Sequence, residues 1–256
     1  MRINIDNIDV NYIEEGVNSK YTILLLHGWG AEIETYRTLI DELKQNFKVY
    51  AIDFPGFGRT SNPPENYNVE DYAKLTLEFI NRLRLENVVL IGHSFGGRVI
   101  IKMVSKLGYK PEKIVLIDSA GVKPKRKLMY YIKTIIYKVV KVIIRIVLGK
   151  NKSQKIISKY RNKRGSADYI AADETMKKVF KNVINEDLVS HFKDVTMPTL
   201  LIWGDLDTET PISDAKIMEK EMKDAGLVVI KGAGHFSFLN NLHQVVLIIN
   251  KFLEEE

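Results

Sequence analysis

The chain has 256 residues, 45% of them hydrophobic and 27% charged, with no cysteine and a formal net charge of +6. That length buries one sizeable core with room for an inserted subdomain. The composition is that of a soluble globular protein, and the missing thiols exclude a disulfide framework, a cysteine nucleophile and a thiolate metal site.

Residues 1–10 alternate apolar and polar side chains and read as strand. They lack the apolar core of a signal peptide, so a cytoplasmic location is expected. Residues 2–5 and 9–15 form an expected antiparallel pair turning at Asp6-Asn7. Tyr21–Leu26 is a continuous apolar strand, covered on both faces, and ends in His27-Gly28-Trp29-Gly30. A helix is expected from about Glu32 to Gln45, then a strand over Phe47–Ile52. Asp53-Phe-Pro-Gly-Phe-Gly-Arg-Thr-Ser61 is a loop of turn residues. Helix is expected over about Val69–Leu85, and a buried, β-branched strand over Val88–Ile91.

That last strand runs into Gly92-His93-Ser94-Phe95-Gly96-Gly97, with a helical pattern from Arg98. Strand, glycine-flanked serine, helix is the context of a nucleophile elbow. A serine at the apex of a tight strand-to-helix turn requires strained backbone angles and small neighbours. It also sits at a helix N-terminus, where free N–H groups and the helix dipole favour developing negative charge. Lys113–Asp118 is the next buried strand, broken by Ser119-Ala-Gly121. Thr199–Trp203 and Leu227–Ile230 read as strands, and Ile212–Lys223 and about Phe238–Leu253 as helices. Alternating strands and helices predict an α/β fold: a mostly parallel, doubly wound sheet with helices on both faces. Ligand chemistry in such sheets gathers at the carboxyl ends of the strands, where every glycine-rich stretch above falls.

A serine nucleophile needs a base, and the base an orienting acid. Of five histidines, His235 lies on a glycine-rich loop (231–236) just past a strand end, where an imidazole can reach another loop. For the acid, the loop after Trp203-Gly204 offers Asp205, Asp207 and Glu209. Chain order Ser, Asp, His fits the elbow but does not choose among them.

Five stretches together resemble the α/β-hydrolase superfamily: Leu-Leu-Leu-His-Gly-Trp-Gly (24–30), residues 53–61, Gly-His-Ser-Phe-Gly-Gly (92–97), Trp-Gly-Asp-Leu-Asp-Thr-Glu-Thr-Pro (203–211) and Gly-Ala-Gly-His-Phe (232–236). The resemblance implies that Asp207, fifth in W-G-x-x-D-x-x-x-P, is the acid. It also implies an oxyanion hole from the backbone N–H groups of Trp29 and Phe95, each such donor contributing a few kcal/mol to the transition state. Haloalkane dehalogenases and epoxide hydrolases resemble this framework but carry aspartate at the elbow. Serine points instead to acyl transfer without metal or organic cofactor: attack by Ser94, proton transfer through His235, and Asp207 holding the imidazolium.

The charge is unevenly spread. Residues 122–196 hold 19 Lys/Arg against 6 Asp/Glu, and the remainder holds 19 against 26. The basic segment falls between two strands, where a cap commonly enters in this superfamily. The expected domains are thus a core over 1–121 and 197–256 and a helical cap over 122–196. Leu128–Leu148 is apolar apart from Lys133, Thr134, Lys138, Lys141 and Arg145. At about 100° per residue Lys138, Lys141 and Arg145 share one side. Four cations argue against a membrane span and for an amphipathic cap helix. Tyr131 and Ile135 on that helix, with Gly28, Trp29 and His93, are the expected substrate contacts. The stretches 165–169 and 185–188 resemble cap sequences of bacterial hydrolases of this superfamily.

The basic face admits three readings: plain solvation, weak contact with an anionic membrane surface, or attraction of anionic substrates. No nucleic-acid recognition module accompanies the charge. The expected function is a carboxylesterase for a fairly apolar ester. A C–C hydrolase of the ring-cleavage-product type is the nearest alternative; those relatives commonly carry asparagine where this chain has His93. A slow ligand-binding or signalling homologue is the alternative from another class.

Overall fold

The computed structural model describes residues 1–123, 172–184 and 186–254. Eight strands form one sheet: β1 (Arg2–Ile5), β2 (Ile8–Gly16), β3 (Thr22–Leu26), β4 (Lys48–Ile52), β5 (Val88–His93), β6 (Lys113–Ile117), β7 (Thr199–Gly204) and β8 (Ala225–Ile230). Their order is β1-β2-β4-β3-β5-β6-β7-β8. The β1–β2 and β2–β4 pairs are antiparallel, and every pair from β4 to β8 is parallel. The helices are α1 (Arg37–Leu43), α2 (Val69–Leu83), α3 (Phe95–Leu107), α4 (Glu174–Ile184), α5 (Ile212–Glu221), α6 (Ser237–Asn240) and α7 (Leu242–Glu254). The doubly wound α/β architecture expected from the alternating pattern is the one observed.

The period-2 alternation of side chains splits the core in two. Leu24, Leu26, Leu90, Leu116 and Trp203 face one layer with Phe79, Val99 and Met218 of α2, α3 and α5. Ile23, Leu25, Ile91, Val115 and Ile202 face the other with Leu39, Leu43, Val245 and Ile249 of α1 and α7. Both faces being covered is why the central strands read as unbroken apolar runs.

Three helices end two residues earlier than expected, at Leu43, Leu83 and Glu221, and in three other places the helices differ for a local reason. The segment predicted as helix from Glu32 opens as a 3-10 turn over Ile33–Tyr36 before α1 begins. The helix after the elbow starts at Phe95, not Arg98, because Ser94 is already its N-cap. The last helix is two, broken at Asn241 (φ −145°), whose side-chain oxygen accepts from the Gln244 N–H at 3.4 Å and starts α7 afresh.

Gly121 O accepts from Leu188 N at 2.9 Å, so the chain leaves and rejoins the core at neighbouring points. Beyond Leu188 the segment packs inward: Leu188, Phe192 and Val195 are buried in the core layer of α3 and α5. Helix α4 docks by Met176, Val179 and Val183. Most of the basic segment lies outside the described residues, including Leu128–Leu148 with Tyr131 and Ile135, and the 165–169 stretch. Among the described residues no helix is long and apolar enough to cross a membrane.

Candidate active site

The centre of the sheet ends at Ser94, after β5. Its backbone sits at φ 49° and ψ −110°, a conformation that costs a non-glycine residue about 1–3 kcal/mol. The turn is held by Ser94 N donating to Ile117 O (3.1 Å), while Gly97 N (3.1 Å) and Ala120 N (2.9 Å) donate to Ser94 O. It closes only because Gly96 has no side chain: a Cβ there would stand 2.1 Å from Leu26 O.

His235 arrives from the loop after β8 and Asp207 from the loop after β7. The hydroxyl of Ser94 lies 3.0 Å from His235 Nε2, and Asp207 Oδ2 lies 2.9 Å from His235 Nδ1. Asp207 Oδ1 accepts from the backbone N–H groups of Glu209 (2.8 Å) and Thr210 (3.0 Å), and Oδ2 accepts from the Thr210 hydroxyl (2.6 Å). Burial alone would raise the Asp207 carboxyl, but the hydrogen bonds from His235 and Thr210 outweigh it and hold it below the ordinary carboxylate value. Burial likewise acts to lower His235, and its bond to Asp207 reverses the sign, so the imidazole is raised above its ordinary value.

The other two carboxylates of the loop sit elsewhere. Asp205 Oδ1 accepts from Gly232 N at 2.7 Å and braces the two loops together. Glu209 is 68% exposed in its side chain, with Oε2 3.7 Å from His235 Nε2.

Three residues of the network were not singled out from the sequence. Asp118, at the end of β6 and fully buried, accepts from Gly204 N at Oδ1 (2.8 Å) and from Ser237 N at Oδ2 (3.0 Å). It therefore ties the start of the acid loop to the end of the histidine loop. Burial pushes its carboxyl up to about 6, partly countered by those bonds and reinforced by Asp207. Thr210 is the second, with its hydroxyl on Asp207 and 3.0 Å from the Asp118 carbonyl.

Tyr36 is the third, acting through His93. His93 Nε2 donates to His235 O (2.7 Å), since a carbonyl only accepts. Burial pushes the His93 imidazole down to about 3, so it is neutral and its Nδ1 accepts from the Tyr36 hydroxyl (2.8 Å). The Tyr36 oxygen in turn accepts from Gly28 N (2.9 Å). One chain of bonds thus spans the loops of Gly28, His93 and His235. A Cβ at Gly28 would stand 2.8 Å from His93 Nδ1. His93, expected as a substrate contact, touches the cavity while both its ring nitrogens are engaged by protein.

Trp29 is half-buried and packs against Phe57, Phe95 and Phe180 at centroid distances of 4.8, 5.4 and 5.1 Å. Among the described residues no acceptor engages the backbone N–H of Trp29 or Phe95. In the case of Phe95 this follows from its place as the first residue of α3. A cavity of about 670 Å³ opens above Ser94 and His235, with Gly28, Trp29, Phe95, Phe180, Val183, Ile217 and Phe236 among its walls. Among the described residues no group of three or more His, Asp or Glu side chains is placed to hold a metal ion.

A sheet of this order, with a strained serine after its fifth strand and a histidine after its last, is the pattern of one family. Residues 23–246 match the model of the alpha/beta hydrolase family, and the chain belongs to that family. It is 25% identical over 244 residues to a pimeloyl-[acyl-carrier protein] methyl ester esterase of Legionella pneumophila, covering 91% of this chain and 95% of that protein. In structure it resembles a bacterial membrane phospholipase A, with TM-score 0.75 and 23% identity, covering 99% of this chain and 85% of the other. It also resembles the enol-lactonase of Burkholderia xenovorans, with TM-score 0.77 and 16% identity over the whole of both chains.

Proposed function

We propose that the protein is a serine carboxylesterase acting on a fairly apolar ester. The observation that carries this reading is the unbroken line Ser94 Oγ, His235 Nε2, His235 Nδ1, Asp207 Oδ2, with steps of 3.0 and 2.9 Å, at the floor of a cavity walled by aromatic and aliphatic side chains. The esterase among its relatives supports it.

Ser94 Oγ attacks the ester carbonyl as its proton passes to His235 Nε2. Asp207, kept ionised by its four donors, stabilises the imidazolium and holds Nδ1–H toward itself. The oxyanion takes the free N–H groups of Trp29 and Phe95. Collapse breaks the C–O bond, and His235 returns the proton to the departing alkoxide. Water, deprotonated by the same nitrogen, then releases the acid and restores Ser94.

The test is steady-state hydrolysis of p-nitrophenyl esters from acetate to palmitate by wild type and Ser94→Ala. The reading requires turnover that falls roughly 10⁴-fold or more in the variant. Folded wild-type protein inert across the series, or activity surviving Ser94→Ala, refutes it.

A further inference from the structure

One turn beyond Ser94 on α3 stands Arg98. It is 4% exposed, yet it borders the same cavity as Ser94 and His235. Its Nη1 donates to the Glu186 carbonyl at 2.6 Å. Among the described residues that is its one hydrogen bond, so four of the five N–H donors of a guanidinium have no partner there. Neither nearby carboxylate pairs with it directly: Glu186 pairs with Lys102 at 2.7 Å, and Asp187 Oδ1 accepts from Val189 N at 3.3 Å, so both favour its charge only from a distance. Burial pushes the guanidinium down to about 10, which leaves it charged at neutral pH.

Among the described residues the fold gives only part of a reason for this charge. A cation in the first turn of a helix opposes the helix dipole. The tether to residue 186 is already made by Lys102, one turn further on. A buried charge with no carboxylate in direct contact among the described residues is costly and is kept where something else pairs with it. The planar fork of arginine suits one class of partner best, a carboxylate held by two parallel N–H···O bonds.

We propose that Arg98 is the anion subsite of the cavity, and that the substrate is an ester carrying a free carboxylate on its acyl chain, such as the half-ester of a dicarboxylic acid. This rests on the esterase reading and sharpens it. The orientation follows from the walls: the acyl carboxylate goes to Arg98 on α3, away from the carboxylate of Glu209 beside His235. The rest of the chain lies on the apolar side chains between.

The experiment has two arms. In the first, kcat/KM is measured for monomethyl esters of the straight-chain diacids from succinate to sebacate, each against the neutral methyl ester of the same acyl length. Wild type should favour the charged ester by about tenfold or more at its best length, the scale of a charge-assisted pair. Arg98→Met should bring that ratio to near one, and Arg98→Lys should fall between. In the second arm, Ser94→Ala protein is titrated calorimetrically with monomethyl and dimethyl suberate, and again with Arg98→Met added. Tighter binding of the half-ester, lost with Arg98→Met, supports the subsite even if no ester is turned over, an outcome that would sink the esterase reading alone. Wild type that hydrolyses neutral esters as well as charged ones at every length, with no binding preference in Ser94→Ala protein, overturns the subsite and leaves the esterase standing.

Discussion

The floor and the wall of the cavity are built by different physics. On the floor every polar side-chain atom of Asp207, Asp118, His93 and Tyr36 meets a directional partner between 2.6 and 3.0 Å. These groups and their partners stand at or beyond the carboxyl ends of five strands, β3, β5, β6, β7 and β8, so the sheet fixes the constellation to within a hydrogen bond. The wall from α4 meets the cavity and the core by apolar contact, Phe180 against Trp29, and Met176, Val179 and Val183 against the core, while its polar ties, Lys178 to Glu65 and Asn182 Nδ2 to Tyr67 O, lie on the exposed side. Directional bonds define atoms that must not move during proton transfer. Apolar contact defines volume, which tolerates exchange of shape. On the proposed reading the chemistry belongs to the floor, and the choice of substrate to the wall.

Substitutions that break the floor should cost rate, and the largest effect is expected at its acid. Asp207→Asn keeps the shape but presents an amide to His235 Nδ1 and favours the wrong tautomer, so kcat should fall by roughly 10³–10⁴. Next comes Tyr36→Phe, which strips the donor from His93 Nδ1 and the acceptor from Gly28 N. Stability should drop by about 1–3 kcal/mol in urea unfolding. In turnover, kcat should fall more than KM changes, since both ring nitrogens of His93 are engaged in bracing the histidine loop. A purely structural role for Tyr36 would leave kcat of the folded fraction untouched.

Phe180→Ala tests the other half of the comparison. It should raise KM several-fold and shift the preferred acyl length upward, with kcat on short esters kept within about threefold, because a wall residue supplies binding and not chemistry. The smallest effect is expected at Glu209. His235 acts as base only when neutral, and its pKa is raised, so kcat/KM should fall toward acid with an apparent pKa above the ordinary 6.5. Glu209→Gln removes a carboxylate 3.7 Å from Nε2 that favours the imidazolium. The acid limb should move to lower pH by a few tenths of a unit in a pH–rate profile, with the plateau little altered.

What the sequence made legible follows the same division. The elbow could be read because strain and close approach leave their mark as glycine, at Gly92, Gly96 and Gly97. The central strands could be read because burial on both faces removes the polar alternation. His235 is legible as a candidate from its place after a strand. Asp207 came from resemblance, since spacing left Asp205 and Glu209 open. Asp118 and Tyr36 leave no such mark. Each acts across many residues of chain, Tyr36 on His93 and Asp118 on Gly204 and Ser237, and such pairing exists only once the sheet has assembled. A lone aspartate closing the apolar run Lys113–Ile117 was the available signal for Asp118. Tyr36 reads as one more apolar position in a helical pattern. The break at Asn241 was hidden for a related reason: apolar residues continue on both sides of it, and only its capping bond interrupts the helix.

The most direct measurement is covalent. A fluorophosphonate probe reacts with a hydroxyl that a neighbouring imidazole activates, and peptide mass spectrometry reports which residue carries the adduct. The account predicts one phosphonyl group per chain, on Ser94, formed within minutes in wild type and suppressed by roughly 10³-fold or more in His235→Ala. Wild-type protein that stays unlabelled while folded, or an adduct on any residue other than Ser94, would contradict it.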